Sequence, residues 1–146
     1  MTPGPLDAAV VRRHLLTIDE ALQTLRLHQG KPIETLASDR EERWVVERGL
    51  QLCTQNALDV ATHLAAGAGR DVPDYGTAID RMGELGVLPS EFVARFRPIA
   101  GFRNVIVHGY LDLDLGTVHR ILNERLDDFS EFVRHVDRYV ASHADT

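Results

Sequence analysis

Residues 46–64 read VERGLQLCTQNALDVATHL and carry the helical pattern around which the predicted fold is organised. An α-helix completes one turn in about 3.6 residues, so side chains three and four positions apart share a face. The stretch therefore predicts a long amphipathic helix with one buried face. The apolar positions with this spacing are Val46, Leu50, Cys53, Ala57, Val60 and Leu64.

Another helical stripe precedes this stretch and ends before Gly30 and Pro32, both of which are typical after a helix. Ser38, with Glu41 three residues later, is a candidate capping box that opens the helix containing residues 46–64. The glycines of residues 67–69 predict the end of that helix. The first stripe consists of Val11, Leu15, Ile18, Leu22 and Leu25.

Two shorter helices are predicted next, with Thr77 and Ser90 as their candidate N-caps and Gly86 at the end of the first. Pro98 falls inside the second pattern, where it removes a donor and crowds the preceding turn, so we expect the helix to restart there. A broad stripe then predicts one long closing helix. Its apolar positions are Val118, Ile121, Leu122, Phe129, Phe132, Val133, Val136 and Val140.

These patterns predict an all-α, single-domain bundle of about five helices, four of them forming the body. The domain is expected to span residues 1–146, with a flexible tail at 141–146. No apolar run approaches the roughly 20 residues of a spanning helix, and the amino terminus lacks the pattern of an export signal. The lone Cys53 fits a small core residue in a reducing cytoplasm.

The formal charge of −6 argues against broad electrostatic binding to nucleic acid. Its distribution leaves room for a local basic site, because Arg95, Arg97 and Arg103 lie within one short segment. The acidic residues concentrate elsewhere in the chain.

Residues 98–110, PIAGFRNVIVHGY, place several chemically active side chains close together. Arg103 can hold a phosphate through paired N–H donors, and His108 can transfer protons near neutral pH. Metal-free phosphodiester cleavage needs this combination, so RNA is a candidate substrate. The bare spacing is weak evidence, because Arg138 and His143 repeat it. We interpret that second copy as coincidence, since it lacks the equivalents of Asn104 and Tyr110.

The full string of residues 98–110 resembles the HEPN superfamily, and within it the HepT-like toxin branch. The shared pattern is Arg-Asn, three residues, His, any residue, Tyr, which here is Arg103-Asn104, His108 and Tyr110. A leading helix, a long second helix and a closing helix extend the resemblance over most of the chain.

The resemblance implies the toxin of a HepT/MntA toxin–antitoxin pair, a metal-independent endoribonuclease. Arg103 and His108 would be catalytic, and Asn104 would support the site. Tyr110 would accept AMP from an MntA-like nucleotidyltransferase antitoxin, which would use ATP and Mg²⁺; this chain would need no cofactor. Positions 103 and 108 diverge by roughly 140° around one helix, so a flexible Arg103 side chain, a distorted helix end or a second subunit could bring the two groups together. The resemblance favours the second subunit, because a homodimer or higher assembly would set two motifs beside one cleft.

Each motif residue also has a simpler interpretation. Arg103 could pair with a surface carboxylate, and Asn104 could simply form a hydrogen bond with the backbone. His108 could be a helix-terminal histidine favoured by the helix dipole, and Tyr110 could be a half-buried amphipathic residue. One rival function keeps the fold but makes the chain a non-catalytic binding subunit of a nucleotidyltransferase complex. Another is a helical interaction module without any nucleotide connection.

A metal site is an alternative, because Asp112 and Asp114 alternate and hard cations bind carboxylates. The same spacing suits a solvated loop with one acid at the start of the final helix, and we prefer that interpretation. The remaining histidines lack the paired spacing of a zinc site.

Overall fold

The computed structural model describes residues 6–108 and 114–143, with the backbone alone for Val107 and His108. These residues form eight helices and no strand, which confirms the predicted all-α class. The helices are α1 (Ala8–Arg26), α2 (Ile33–Ser38), α3 (Arg40–Gly67), α4 (Tyr75–Glu84), α5 (Ser90–Phe96), α6 (Ile99–His108), α7 (Leu115–Glu124) and α8 (Leu126–His143).

Helix α3 lies at the centre of the bundle and contacts α1, α2, α4, α6, α7 and α8. Its predicted apolar stripe is buried, and Leu50 and Cys53 are fully shielded from solvent. Helix α1 packs so closely that a Cβ atom added to Gly49 would lie 2.6 Å from Leu25 Cδ2. Only a glycine fits at that crossing without displacing Leu25.

A cluster of phenylalanines joins α5 to α8 and so fixes the start of the motif helix. The Phe96 ring stacks between Phe92 and Phe132, with 5.1 Å between ring centroids on each side. Phe129 meets the same ring edge-on at 5.7 Å. Because Phe96 ends α5 and is 98% buried, the chain leaves this cluster at a defined point and begins α6 at Ile99.

Eight helices are present in the described ranges rather than about five: the expected restart at Pro98 separates α5 from α6, and two further features add the other helices. The short α2 has only one buried apolar side chain, Leu36, and therefore no stripe that sequence could show. The predicted closing helix is divided into α7 and α8, since Arg125 leaves the helical conformation at φ −123° and ψ 1°. Leu122 and Leu126, on either side of this break, are both buried, so each helix can turn its own apolar face to the core.

The predicted cap at Ser38 is wrong. Ser38 is the last residue of α2, and its hydroxyl donates to the carbonyl oxygen of Glu34 at 2.8 Å. Asp39 caps α3 instead, because its carboxylate accepts a hydrogen bond from the backbone N–H of Glu42 at 3.1 Å. The charge of Asp39 also suits the positive end of the helix dipole.

The two later caps are also displaced from their predicted positions. Asp74 caps α4 and accepts a hydrogen bond from the Thr77 N–H at 2.7 Å, which lowers the pKa of the Asp74 carboxyl. Ser90 is the first residue of α5 rather than its cap, and Pro89 before it provides no side-chain bond. At α4, the sequence therefore predicted Thr77 as the cap, whereas Thr77 provides the N–H donor and the capping acceptor, Asp74, lies three positions earlier.

The predicted helix ends at Gly86 and Pro98 are confirmed. Gly86 follows α4 with φ of +78°, a conformation that costs glycine little, and the Val87 N–H returns to the Met82 carbonyl oxygen at 2.9 Å. Pro98 separates α5 from α6 as expected. The glycine that follows α6 in the sequence, Gly109, lies outside the described residues.

Helix α8 continues to His143, so residues 141–143 of the predicted flexible tail are helical; residues 144–146 lie outside the described part. Across the described ranges, the helices are all too short or too polar to pass through a bilayer.

Candidate active site

Helix α6 carries three of the four predicted site residues. Arg103 and Asn104 lie near its middle, and His108 is its last residue, so the predicted helical relation between the motif positions holds. The side chain of His108 and the whole of Tyr110 lie outside the described residues. The described part of the site therefore consists of Arg103 and its surroundings.

Arg103 is half-buried and turns toward α3 and α4. Its Nε–H donates to Gln55 Oε1 at 3.0 Å, and its guanidinium carbon lies 5.2 Å from the centroid of the Tyr75 ring, a cation–π distance. A longer contact of 3.4 Å runs from Nη1 to Asn104 Oδ1. Among the described residues, Arg103 has no carboxylate partner, so its positive charge is available for an anion.

Gln55 is itself held on the side away from Arg103. Its amide nitrogen donates to Asp59 Oδ1 at 2.8 Å and to the Tyr75 hydroxyl at 3.3 Å. The motif arginine therefore belongs to a polar cluster on three helices, which we call the Arg103 cluster: Gln55, Asp59, Tyr75 and Arg103. Sequence analysis missed the first three, although a Gln and an Asp four residues apart are a recognisable helical pair.

Asn104 is exposed, and its amide oxygen faces Arg103. Asn104 and His108 are four residues apart on α6 and share a face, which is compatible with the predicted supporting role. That role stays a prediction, as do the catalytic roles of Arg103 and His108 and the modification of Tyr110.

The predicted local basic site is smaller than the sequence suggests. Arg95 donates to Glu131 through both terminal nitrogens at 3.1 Å and to Asp128 at 3.1 Å, and the Glu131 hydrogen bond raises the pKa of Arg95. Arg97 binds Asp80 at 3.0 Å, and this contact raises its pKa as well. Of the three arginines in the segment, Arg103 is the one that these carboxylates leave unneutralised.

A cavity of about 300 Å³ borders a different face of α6. Helix α6 contributes Ile99, Phe102 and Val105 to its wall, and Arg103 is not part of the lining. Arg103 therefore does not open onto this cavity.

Asp114 acts as a helix cap. Its Oδ1 accepts from the backbone N–H groups of Gly116 at 3.0 Å and Thr117 at 3.3 Å, and Oδ2 accepts from the Thr117 hydroxyl at 2.8 Å. These bonds lower the pKa of Asp114. The interpretation as an acid at the start of a helix is confirmed for Asp114, while Asp112 lies outside the described residues.

The second Arg–His spacing lies in the last turns of α8. The His143 ring stacks on Tyr139 at 4.0 Å between centroids, and its Nδ1 is 2.8 Å from the Tyr139 carbonyl oxygen. This histidine is engaged with the end of its own helix.

Comparison with known proteins identifies the class to which this bundle and its motif helix belong. The model of the family described as ribonuclease HepT-like matches residues 18–136. The chain belongs to the HepT-like ribonuclease family. The resemblance predicted from Arg103, Asn104, His108 and Tyr110 is thereby confirmed at the level of the family.

Two relatives are nucleases by name. The tRNA nuclease HepT of Aphanizomenon flos-aquae is 26% identical over 137 residues, which cover 92% of each chain. The mRNA nuclease HepT of Shewanella oneidensis is 24% identical over 85 residues, which cover 58% of this chain and 64% of that protein. The two relatives thus differ in the RNA that their names specify.

A solved structure has the same fold. It is the tri-AMPylated HEPN toxin of Shewanella oneidensis in complex with an MNT antitoxin, with a TM-score of 0.76 and 18% identity. The match covers 88% of this chain and 97% of that one. The helices described above therefore form a HEPN fold.

Proposed function

We propose that this chain is the toxin of a toxin–antitoxin pair and cleaves RNA without a metal ion through Arg103 and His108. The observation that carries the proposal is Arg103, on the motif helix of a HepT-like ribonuclease, which has no carboxylate partner among the described residues. An arginine held in place without a charge partner is suited to bind a phosphate that enters the site.

The reaction is an internal transesterification. The 2′-oxygen of RNA forms a bond to the adjacent phosphorus while the bond from phosphorus to the 5′-oxygen breaks, giving a 2′,3′-cyclic phosphate and a 5′-hydroxyl. One proton leaves the 2′-hydroxyl and another reaches the 5′-oxygen, and His108 of one or both subunits transfers them. Arg103 stabilises the additional negative charge on the pentacoordinate phosphorus, and Asn104 supports the His108 ring.

The activity is silenced by AMPylation. The Tyr110 phenol would attack the α-phosphorus of ATP and release pyrophosphate, with an MntA-like nucleotidyltransferase antitoxin as the enzyme and Mg²⁺ as its cofactor. The attached phosphate would oppose RNA by like charge and by bulk. The AMPylated HEPN toxin from Shewanella oneidensis, bound to its MNT antitoxin, supports this partnership. Intact mass would increase by one or more AMP units for wild type, since the related toxin is tri-AMPylated, and stay unchanged for Tyr110→Phe.

We further infer a homodimer that acts in the cytoplasm, where RNA substrates are available. Arg103 and His108 are five residues apart on α6, so their Cα directions differ by roughly 140°. In the dimer, a second copy of α6 would place His108 of one subunit beside Arg103 of the other.

The chemistry of the product ends tests this proposal. Protein purified without the antitoxin, and shown by intact mass to lack AMP, is incubated with total RNA in EDTA. New 5′ ends should accept phosphate from a polynucleotide kinase directly. Arg103→Ala should lower the cleavage rate about a hundredfold or more, as for loss of one transition-state donor, whereas Arg138→Ala should not. New ends that carry 5′-phosphates, or equal rates for Arg103→Ala and wild type, would contradict the mechanism.

The rival function, a non-catalytic binding subunit, is favoured by the charge of −6 and by the neutralised Arg95 and Arg97. In that case Arg103→Ala would weaken assembly with the nucleotidyltransferase and leave RNA cleavage at the background of a protein-free control. Co-purification with the antitoxin, measured beside the RNA assay, separates the two functions.

A further inference from the structure

The orientation of Arg103 is set by the Gln55 side chain. An arginine bound only through its terminal nitrogens could rotate about its long stem, but Gln55 Oε1 holds Nε–H at 3.0 Å. Since the Nε–H bond lies in the guanidinium plane, this bond fixes the direction of the plane. The Tyr75 ring, 5.2 Å from the guanidinium carbon, limits its tilt.

The chemistry of the neighbours determines which way the Gln55 amide faces. An ionised carboxylate offers acceptors alone, so Asp59 Oδ1 at 2.8 Å requires the amide nitrogen on its side. The Tyr75 hydroxyl, at 3.3 Å, accepts from the same nitrogen. The amide oxygen is then left for Arg103, which is a donor alone. Asp59 therefore determines the acceptor that Arg103 meets, although it does not contact the guanidinium.

The cluster also leaves one edge of Arg103 for a ligand. Nε–H is taken by Gln55, and Nη1 has the longer 3.4 Å contact with Asn104. Within the described ranges the other guanidinium donors have no protein acceptor. These are the paired donors that bind two oxygens of a phosphate.

We propose that Gln55 is a positioning residue for Arg103. Asp59 fixes the orientation of the Gln55 amide, so that the amide oxygen faces the guanidinium. Helix α3 thereby presents the guanidinium of α6 in one orientation before RNA binds, so little ordering is left for the transition state. The effect on cleavage rests on the proposed ribonuclease function, whereas the orientation of Arg103 does not.

The test combines a side-chain NMR signal with kinetics. The ¹H–¹⁵N signal of Arg103 Nε, assigned by its loss in Arg103→Lys, should show slow exchange with water in wild type. Gln55→Leu should abolish that protection, and Asp59→Asn should weaken it, because an asparagine at 59 allows the Gln55 amide to flip. Gln51→Leu is the matched control: it is one turn earlier on α3 and bonds to Arg48 at 3.1 Å rather than to Arg103.

In the RNA assay we expect kcat to fall about tenfold for Gln55→Leu, the usual effect of one hydrogen bond to a charged group, with KM changed less. Asp59→Asn should have a smaller effect and Gln51→Leu none, and circular dichroism melting should show that all variants fold. Unchanged Nε exchange in Gln55→Leu, or an altered signal with unchanged kcat, would overturn the proposal. If wild type cleaves no RNA, the NMR result still decides the positioning of Arg103, while the proposed function fails separately.

Discussion

Arg95, Arg97 and Arg103 are the same residue type in one short segment, yet their surroundings differ. Carboxylates of α4 and α8 neutralise the first two, whereas Arg103 meets an amide and an aromatic ring. An exposed ion pair contributes little to stability, so the pairs of Arg95 and Arg97 matter here mainly because they remove charge. Sequence predicted the importance of Arg103 through its motif, but not its partner Gln55, which is 48 residues away.

At the same scale, Cys53 should be unreactive in the folded protein. Burial raises the pKa of its thiol to about 12, and the thiolate is the form that attacks disulfide reagents. The native protein at pH 8 should therefore react slowly with 5,5′-dithiobis(2-nitrobenzoic acid). Protein unfolded in guanidinium should release one equivalent of thionitrobenzoate per chain. Rapid stoichiometric reaction of the native protein would show that the α1–α3 interface opens easily.

At the scale of elements, the apolar stripes predicted the long helices correctly, but the predicted N-cap residues were wrong. The buried positions of a helix recur with the helical period, so they are visible in the sequence as an apolar stripe. A cap depends on which of several adjacent polar side chains reaches a backbone N–H. Ser38 and Asp39 are neighbours, and both are reasonable caps by type. Because the short helix α2 ends at Ser38, Asp39 is the residue that precedes α3 and caps it.

The cap assignment has a direct consequence for stability. Asp39→Ala should lower the free energy of unfolding by about 1 kcal/mol, the typical value of one N-cap, because the Glu42 N–H loses its acceptor. Ser38→Ala removes only a bond to the Glu34 carbonyl oxygen and should cost less. Urea unfolding at neutral pH measures both variants, and the reverse order of effects would restore the capping box at Ser38.

Breaks between helices were predictable only where a special residue makes them. Pro98 predicts the start of α6, because proline has no backbone N–H to donate to the preceding turn of a helix. The break at Arg125 involves neither proline nor glycine, and both flanking leucines continue the stripe. The break separates two helices that each bury an apolar face, and neither stripe marks its position in the sequence.

At the scale of the whole molecule, the class of the fold could be predicted because helical periodicity runs through most of the chain. The family could be predicted because residues 98–110 carry one extended motif. The surroundings of the site could not, since the Arg103 cluster joins α3, α4 and α6 from separate parts of the sequence. Within residues 6–108 and 114–143, this acidic chain leaves Arg103 on its motif helix without a carboxylate partner. That placement reconciles a net charge of −6 with the proposed binding of a phosphate.

The proposed homodimer predicts the mass of the active species. Light scattering should give twice the 16.3 kDa of one chain at micromolar concentration. Specific ribonuclease activity should rise with protein concentration across the dissociation range, because in the proposed dimer each site needs α6 of both subunits. Constant specific activity in samples that scatter as monomers would contradict a shared site.

The most direct measurement of the central claim compares the two histidines that follow an arginine at the same spacing. Unmodified wild type, His108→Ala and His143→Ala are incubated with total RNA in EDTA, and cleavage is followed over time with circular dichroism as the check on folding. We expect wild type and His143→Ala to cleave at similar rates and His108→Ala to leave the RNA intact. Cleavage by His108→Ala at the wild-type rate would show that the motif of α6 is not the catalytic centre.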